Sequence, residues 1–512
     1  MITLFLTPMH KFSLLFLLSI SFQLSYTQTV NDLAVFLGSE LNGTARYNAM
    51  AGAFGALGGD LSGMAINPAG SSVFLYSEFG TTMTYASNET EGTYFGERSL
   101  QNAEEHLKLD QLGAVFVLNN TNPEANWTRI SFGINRHRVS KFDQKAQIQG
   151  TNTNGIDQYF LYYADGLAFE NLPLYEGETI PEVYRILGEE NGFAAQQAFL
   201  GYQSYILNPY NFEDNETEYY SNLDYNQVDH RLQILSKGFH QKNTLNFSAR
   251  YKNFLHLGVN INIHKLEYHN NQAFFETGHS LDSPVYDISF GNELSSFGDG
   301  FSAQLGGLLK IKQLRLGLTY DSPQYLEIME ETEQEISSFY NDQGTEIKET
   351  IRPKIVNTYE PYQLKLPSKT TVSAAYIFGV KGLLSVDYTT QNGANSIFEK
   401  SQGSAYLDQL TDTVSAYFGT IQTLRIGGEY RLKDISLRGG IFNRQSIQQR
   451  NTSSDLAYTA GIGLDLGSNS LSFSFTQFNE SRKFLLFSEG LTDSYTLSNF
   501  HKQFSVSYTI KL

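Results

Sequence analysis

Alternation of apolar and polar side chains with a period of two is the feature that most restricts the fold of this chain. At residues 255–264 the odd-numbered positions are Leu, Leu, Val, Ile and Ile, and the even-numbered positions are His, Gly, Asn, Asn and His. Successive side chains of a β-strand point to opposite faces, so this segment is predicted to be a strand with one apolar face. The segment 244–251 has the same pattern, and the short gap at Lys252 and Asn253 predicts a tight hairpin.

This pattern recurs along the chain and predicts about fourteen strands. They lie near residues 73–86, 109–118, 128–137, 244–251, 254–265, 300–312, 314–321, 370–378, 382–390, 421–431, 434–442, 457–466, 470–478 and 502–512. The connections alternate between long and short, and the longest are 138–243, 266–299, 322–369 and 391–420. A membrane barrel has short turns at one end and long loops at the other. The sequence therefore predicts an all-β fold, an antiparallel transmembrane β-barrel formed by residues 73–512.

Composition excludes several function classes. The formal net charge is −17, which disfavours nucleic acid as a partner because phosphate binding needs a basic surface. The chain has no Cys, so a disulfide, a thiolate nucleophile and a Cys-based metal site are all excluded. After residue 27 no apolar run is long enough for a transmembrane helix. An acidic stretch at 321–349 is interpreted as a solvated loop rather than a metal site.

The first 27 residues have the pattern of a signal peptide. Lys11 precedes the apolar run 12–22, and Ser25 and Thr27 supply small residues at the −3 and −1 positions of a cleavage site before Gln28. We therefore expect residues 1–27 to be removed as the chain leaves the cytoplasm.

The last segment of the chain also alternates. Its apolar residues are Phe504, Val506, Tyr508, Ile510 and Leu512. Such a terminal stripe resembles the signal by which outer-membrane barrels are recognised for insertion, although Leu replaces the usual Phe or Trp. We expect the barrel-assembly machinery as a partner, and the outer membrane of a Gram-negative bacterium, with its lipid and lipopolysaccharide, as the location.

Residues 28–72 do not have the pattern of a barrel strand. The segment 42–60 is crowded with Ala and Gly, and no Gly-Lys-Ser/Thr follows that would make it a phosphate loop. Small residues let backbone pack against backbone, as a short helical hatch inside a narrow lumen requires. The turn-forming tetrad Asn67, Pro68, Ala69 and Gly70 ends the segment before the first strand. We therefore expect residues 28–72 to form a hatch, or plug, inside the barrel.

The stretch from Gly43 through Asn67-Pro68-Ala69-Gly70 resembles the hatch of the FadL/TodX family, outer-membrane transporters of long-chain fatty acids and other hydrophobic compounds. Weaker matches follow at 317–323, 366–368, 385–388 and 424–431. The resemblance implies fourteen strands, the number that the alternation gives independently. It also implies passive uptake by loop capture, hatch movement and lateral exit through the wall. The long, Tyr-rich segment 138–243 departs from the family and points to a different substrate-capture region.

A lateral exit implies a kinked strand, and the candidate is Gly133 in the third strand, because Gly often marks bulges. A glycine kept for packing in the lumen is an equal alternative.

A carboxylate-bearing ligand would be bound by inward-facing cations. The candidates are Arg46, Arg129, Arg250 and Arg315, with Arg425 and Arg438 also on polar faces. In the alternative interpretation, these arginines pair with Glu429, Asp387 and Asp321 inside the barrel.

Neither a metal nor a cofactor is expected. His256 and His264 share one strand face but lie about 26–28 Å apart at roughly 3.3 Å per residue, too far for one ion. The chain has no His-Glu-x-x-His motif and no Gly-x-Ser-x-Gly in a strand–turn–helix context, so it is not expected to be an enzyme. We expect a monomer. The alternative function is a FadL-like structural or secretion-associated barrel that binds a protein partner at the cell surface.

Overall fold

The barrel wall is a closed antiparallel sheet. The computed structural model describes residues 30–38, 41–342, 344–399, 405–449 and 453–512, and the predicted signal peptide at 1–27 lies outside them. The first wall strand pairs with both the second and the last, so that Glu78 faces Val115 on one side and Lys511 on the other. The remaining strands pair in chain order. Within the described residues fourteen strands complete the ring, which confirms the predicted fold class.

The wall strands are numbered β1 to β14 in chain order. They are β1 (Glu78–Tyr94), β2 (Glu97–Asn119), β3 (Trp127–Lys141, continued by Gln144–Asn152), β4 (Val228–Tyr251), β5 (Leu255–Thr277), β6 (Val285–Ile311), β7 (Leu314–Asp321, continued by Gln324–Asp342), β8 (Lys369–Ile377, preceded by Tyr362–Leu366), β9 (Gly382–Asn392, followed by Ile397–Glu399), β10 (Thr420–Leu432), β11 (Ile435–Gln445), β12 (Ser454–Asp465), β13 (Asn469–Leu485) and β14 (Ser494–Lys511). Two short pieces, Thr345–Ile351 and Asn357–Thr358, pair with the continuation of β7.

Side chains alternate along the wall as predicted. On β5, Ile261 and Ile263 are 58% and 53% exposed on the outer surface, whereas Asn262 and His264 are each 1% exposed and face the lumen. Other exposed apolar residues on the wall include Leu245, Phe247, Leu305, Leu318, Val372, Leu384 and Ile441. An apolar outer belt around a polar interior is the pattern of a barrel in lipid.

Short turns close the lower end of the barrel, and the long connections lie at the upper end together with the two-residue turn Phe95 and Gly96 between β1 and β2. Lys252, Lys312 and Lys433 in three of the short turns have φ near 50°, the left-handed conformation that tight hairpin turns favour. The turn between β4 and β5 is longer than predicted, because it contains Phe254 as well as Lys252 and Asn253.

The strands extend further than predicted. β4, β5 and β6 contain 24, 23 and 27 residues, whereas about 9–11 residues cross a bilayer. Large parts of the segments predicted as loops, 138–243, 266–299 and 322–369, are therefore strand, and so is most of the acidic stretch 321–349. Outside the membrane the outward residues become polar, as Lys265 does after Ile263, so the apolar pattern ends while the backbone pairing continues.

Short helices occupy the lumen and the upper end. The lumen contains α1 (Val30–Leu37), α2 (Ala45–Ala49) and the 3-10 helices Gly63–Ala65 and Pro68–Val73, so β1 begins at 78 rather than at 73. Residues 153–227, which we call the cap, contain α3 (Asp157–Ala164), a 3-10 turn (Phe169–Asn171), α4 (Ile180–Glu190), α5 (Gly192–Gln203) and a small sheet of Leu207–Pro209 with Tyr219–Ser221. A 3-10 turn (Gly393–Asn395) and α6 (Ala405–Tyr417) lie between β9 and β10. In the described part of the chain, no helix is long and apolar enough to span a membrane.

Candidate functional site

Residues 41–77 fill the lower part of the lumen, and we call this segment the plug. Its backbone bonds with side chains of eight strands in the described residues. Ala45 N donates to Ser507 and Gly55 N to Asp387. The carbonyls of Leu57, Met64, Ala65 and Pro68 accept from Arg315, Asn260, Gln304 and Asn246, and those of Ala49 and Ser72 accept from Thr459 and Arg129. Buried backbone groups without partners are costly. The wall therefore supplies the bonds that the irregular plug lacks internally, and these bonds fix its position.

The predicted hatch tetrad lies at the centre of this network. Asn67 donates from Nδ2 to Gly55 O at 2.7 Å and to Gly307 O at 3.0 Å, and its Oδ1 accepts from Ala69 N at 3.0 Å. Pro68 begins the 3-10 helix, and Gly70 O accepts from Gly59 N. All four residues are buried. The gating role of Asn67, Pro68, Ala69 and Gly70 stays a prediction.

Glycines on the inner face of the wall allow the plug backbone to approach closely. A Cβ on Gly317 would lie 2.2 Å from Gly55 O, and a Cβ on Gly427 would lie 2.4 Å from Met50 O. No side chain fits at these distances, so the glycines determine how deep the plug sits. Similar close approaches occur at Gly258, Gly306, Gly440 and Gly461. Sequence reasoning placed Gly258 and Gly317 on polar strand faces and gave none of these glycines a role, although their recurrence on successive strands was a usable signal.

Gly133 lies in an uninterrupted part of the wall. It pairs with Val115 on β2 and with Asn246 on β4, without a shift in register on either side. A Cβ at this position would lie 2.8 Å from the sulfur of Met64 in the plug. The kink expected at Gly133 is therefore absent there, and the contacts support the alternative, a glycine needed for packing in the lumen.

The wall separates between β2 and β3 above this level, and we call this place the wall split. In the described residues the β2–β3 ladder ends at Gln111 and His137. Further up, β2 continues its pairing with β1, and β3 continues with β4 through an irregularity between Arg138 and Ser140. The irregularity of the third strand thus lies five to seven residues above Gly133.

Charged side chains close the wall split. Asp110 on β2 lies 2.9 Å from Lys141 Nζ and 3.6 Å from Arg138 Nη1, both on β3. Lys108 pairs with Asp143 just beyond them. The Asp110 side chain has no exposed surface, so these groups are largely desolvated. Ion pairs break and re-form without unfolding either strand, whereas a β-ladder breaks only if its backbone bonds are lost.

A packed apolar cluster, which we call the chamber, lies above the plug and includes α1. Leu33, Phe36 and Leu37 of α1 are buried in it. The wall of the chamber includes Phe142, Leu266, Tyr268, Ile328, Leu366 and Phe418. The Phe36 ring lies 6.0 Å from Phe142 and 5.8 Å from Tyr268. Ser140 at the wall split donates to Gly38 O at 2.8 Å. The end of α1 therefore lies against the split.

Three cations and two carboxylates face the lumen between the plug and the chamber, and one of the carboxylates, Asp387 on β9, lies directly opposite Arg425 on β10. Lys242 on β4 faces His264 on β5, and Asp321 on β7 faces Lys369 on β8. Both lysines are within electrostatic range of Asp321, but in the described residues neither ammonium lies within 4 Å of a carboxylate. Arg425 donates to Thr389 at 3.0 Å, while its Nε has no partner in the described structure. The group carries surplus positive charge immediately below apolar walls.

Sequence reasoning missed Lys242 and Lys369 because each stood at the last positions of a predicted loop, 138–243 and 322–369. Both continue the inward alternation of their strands, Lys242 from Thr244 and Lys369 from Thr371. Extending the strands by one or two residues would have identified them.

The predicted ligand-binding arginines lie elsewhere. Arg46 Nε is 2.9 Å from Glu429, which also bonds with Arg438 at 2.8 Å, so for these two residues the ion-pair alternative is correct. Asp387, which the same alternative named as an arginine partner, accepts a hydrogen bond from Gly55 N of the plug. Arg129, Arg250 and Arg315 lie at the lower mouth, with carbonyl, amide and hydroxyl groups as partners. None of the four arginines lines the chamber, and ligand binding by them stays a prediction.

The lumenal histidines have protein partners. His256 Nδ1 lies 2.7 Å from the Ser72 hydroxyl, and His264 Nδ1 lies 3.0 Å from His240 Nε2. In the residues that the structure describes, His, Asp and Glu form no group of three or more with metal-binding geometry.

Comparisons with known proteins give a result for structure alone. No protein-family model matches the chain, and no curated protein matches it. A FadL homologue from Pseudomonas aeruginosa is similar with a TM-score of 0.54 and 11% identity, over 92% of this chain and 99% of that one. The toluene transporter TodX from Pseudomonas putida gives a TM-score of 0.50 and 12% identity, over 92% and 99%. Such low identities establish shape and not activity. The chain therefore has the fold of FadL and TodX, as the resemblance of its plug segment predicted.

Proposed function

We propose that the protein takes up hydrophobic molecules passively across the outer membrane and that long-chain fatty acids fit it best. The observation that carries this proposal is the apolar chamber directly above Lys242, Lys369 and Arg425, inside a barrel closed below by the plug. An acyl chain would be buried in the chamber, as the hydrophobic effect favours. Its carboxylate would neutralise cations that have too few acidic partners.

The space that α1 takes up favours a long chain as ligand. Burial of Leu33, Phe36 and Leu37 stabilises α1 in the chamber by about 1.5–3 kcal/mol for each side chain. A ligand that displaces α1 must bury comparable apolar surface. At about 0.8 kcal/mol per CH₂, this takes roughly six to eleven methylene groups. A fatty acid supplies them, whereas a single aromatic ring does not.

Release would proceed sideways. Displacement of α1 removes the bond from Ser140 to Gly38 and exposes the wall split next to the chamber. Opening of the Asp110 ion pairs then gives an apolar ligand a path into the membrane that avoids the polar plug. Lateral exit, plug movement and loop capture are parts of the same proposal.

The similar structures support a hydrophobic cargo, since one of them is named a toluene transporter. Toluene carries no charge and needs no cation. The unneutralised lysines are therefore the feature that favours a carboxylate-bearing substrate over a hydrocarbon. We propose a monomeric, non-enzymatic barrel whose last strand, β14, is the recognition element for the barrel-assembly machinery and whose cap faces lipopolysaccharide.

Uptake by cells tests this proposal. Labelled oleate and toluene are supplied to cells without the protein, with the wild type, with K242Q/K369Q, and with K265Q as a matched control on the outer face of β5. Loss of charge-assisted hydrogen bonds is expected to lower oleate uptake about tenfold or more in K242Q/K369Q, with toluene uptake unchanged. K265Q should match the wild type. If wild-type cells take up neither compound faster than cells lacking the protein, the proposal fails.

Exposed aromatic residues on the cap favour a second function, a barrel that binds a protein partner. Tyr210 and Phe212 are 62% and 69% exposed near the small sheet of the cap. If the protein has this second function, Y210A/F212A would abolish partner binding. Uptake of hydrophobic molecules by Y210A/F212A would equal that of the wild type, whether or not the wild type takes them up. Normal partner binding by K242Q/K369Q combined with no wild-type uptake would favour this alternative.

A further inference from the structure

The lower mouth of the barrel carries a basic arc on one side. The arc consists of Arg129 on β3, Arg250 on β4, Lys310 on β6 and Arg315 on β7, whose side chains alternate with outward apolar residues and face the lumen. Arg129 pairs directly with Arg250, and Lys310 pairs directly with Arg315. Strands lie about 4.8 Å apart, so β5 separates the two pairs by about 10 Å along a concave wall.

The charges of the arc have no acidic partner in the described residues. Arg129 donates to the Asn119 side chain and to the Ser72 and Phe74 carbonyls, Arg250 to the Thr128 hydroxyl, and Arg315 to Leu57 O. The Lys310 ammonium has no hydrogen-bond or ion-pair partner there and is within electrostatic range of the other three. The next inward residue between the pairs is His256, which adds no negative charge.

The opposite side of the mouth differs from the arc, because acidic side chains lie among its arginines. There Glu429 lies 2.9 Å from Arg46 and 2.8 Å from both Arg431 and Arg438. In the described residues, the inner faces of β3 to β7 carry no carboxylate at the lower mouth. Like charges placed this close repel one another, so a counter-ion stabilises the arc.

We propose that the basic arc is a binding site for a phosphate group, reached from the periplasm and separated from the chamber by the plug. A phosphate carries about −1.5 to −2 charge at pH 7 and offers three acceptor oxygens, which suits several cations better than a single carboxylate does. Arg250, Lys310 and Arg315 are partly exposed, so such a group can reach them. The phosphate comes from a free anion or from a phospholipid headgroup.

Binding at the arc is coupled to the plug. Arg315 and Arg129 are also the residues that hold the plug carbonyls of Leu57, Ser72 and Phe74. A guanidinium that turns toward phosphate weakens its bond to the plug. Occupancy of the arc therefore loosens the plug from below, independently of any ligand in the chamber.

Calorimetry on the full chain in phosphate-free detergent tests the site. Inorganic phosphate should bind, and K310Q should weaken this binding about tenfold. K310Q breaks no contact of the described structure, so the barrel should still fold. K312Q, in the turn two residues further on and facing solvent, is the matched control and should bind as the wild type does.

Two further arms identify the source and the coupling. Binding seen only with added dilauroyl phosphatidylglycerol, and weakened by K310Q, assigns the site to a lipid headgroup. Amide exchange at residues 54–74 should speed up when phosphate is bound in the wild type but not in K310Q. The proposal is overturned if neither probe binds, or if K310Q and K312Q bind phosphate as well as the wild type. Each result is independent of fatty-acid uptake.

Discussion

Asp110 on β2 and Lys141 on β3 approach to 2.9 Å across a part of the wall where the β2–β3 ladder has ended. A side-chain ion pair thus replaces backbone pairing next to Ser140, which bonds to Gly38 at the end of α1. Under the proposed lateral exit, the wall split is the part of the barrel that opens.

Cross-linking of this pair should block exit. The chain has no Cys, so D110C/K141C introduces the only two thiols. A short bis-methanethiosulfonate linker between them should lower oleate uptake to the level of cells lacking the protein, and a reducing agent should restore it. T81C/L112C, which links a continuously paired region of β1 and β2, serves as control and should leave uptake unchanged. Normal uptake by cross-linked D110C/K141C would contradict lateral exit at the split.

Weakening the packing of α1 in the chamber should strengthen ligand binding. Phe36 contacts both Phe142 and Tyr268, so F36A removes the largest apolar side chain that α1 places in the chamber. Truncation of a buried Phe costs about 3–5 kcal/mol, and the ligand no longer has to offset that energy. Oleate should bind at least tenfold more tightly to F36A in a detergent-based binding assay. L281A, at a fully exposed site, should bind as the wild type does. Equal or weaker binding by F36A would show that α1 does not compete with the ligand.

The position of the plug should depend on Gly427 but not on its neighbour Gly428. A Cβ on Gly427 meets Met50 O at 2.4 Å, whereas a Cβ on Gly428 has its nearest neighbour, Leu383 O, at 3.7 Å. Overpacking of this kind costs about 1–3 kcal/mol. G427A should therefore retain a detergent-resistant barrel but expose the plug to protease, while G428A should remain protected. Equal protection of the two variants would contradict the close approach of wall and plug.

Acid should loosen the cap through Glu276. Burial alone would raise the pKa of the Glu276 carboxyl, but hydrogen bonds from His230 and His279 outweigh it and hold this pKa below its usual range. The native state thus binds the proton more weakly than the unfolded chain does, so the stabilisation is complete at neutral pH and is lost as the pH falls below about 4.

Hydrogen exchange at Ile156, whose N–H donates to Glu276 at 2.6 Å, measures this effect. Exchange, corrected for its intrinsic pH dependence, should lose protection between pH 5 and pH 3 in the wild type. E276Q should show reduced protection throughout this range with little pH dependence. E182Q, on the exposed face of α4, should behave as the wild type does. An unchanged acid profile in E276Q would contradict this assignment.

The wall could be predicted from the sequence because lipid on one side and the lumen on the other impose an alternation that every spanning strand must show. Ile261 and His264 illustrate how completely this rule fixes the face of each side chain. The ends of the strands could not be predicted, because outside the membrane the outward positions become polar and the apolar outer face ends. This is why Lys242 and Lys369 were assigned to loops.

The site depends on contacts between distant segments, which local patterns do not contain. A glycine at position 133 is compatible with a kink, but the close contact with Met64 of the plug explains why a glycine is needed there. Arg46 faces the lumen as expected, yet its partner Glu429 is 383 positions away in the chain. The chamber itself is invisible in the sequence, since it consists of apolar residues from many strands together with α1.

A structure with a brominated long-chain fatty acid tests the central claim most directly. The account predicts bromine density among Leu266, Ile328 and Leu366, a carboxylate within hydrogen-bonding distance of Lys242 or Lys369, and α1 displaced from the chamber. A structure with α1 in place and bromine density only on the outer belt of the barrel would contradict it.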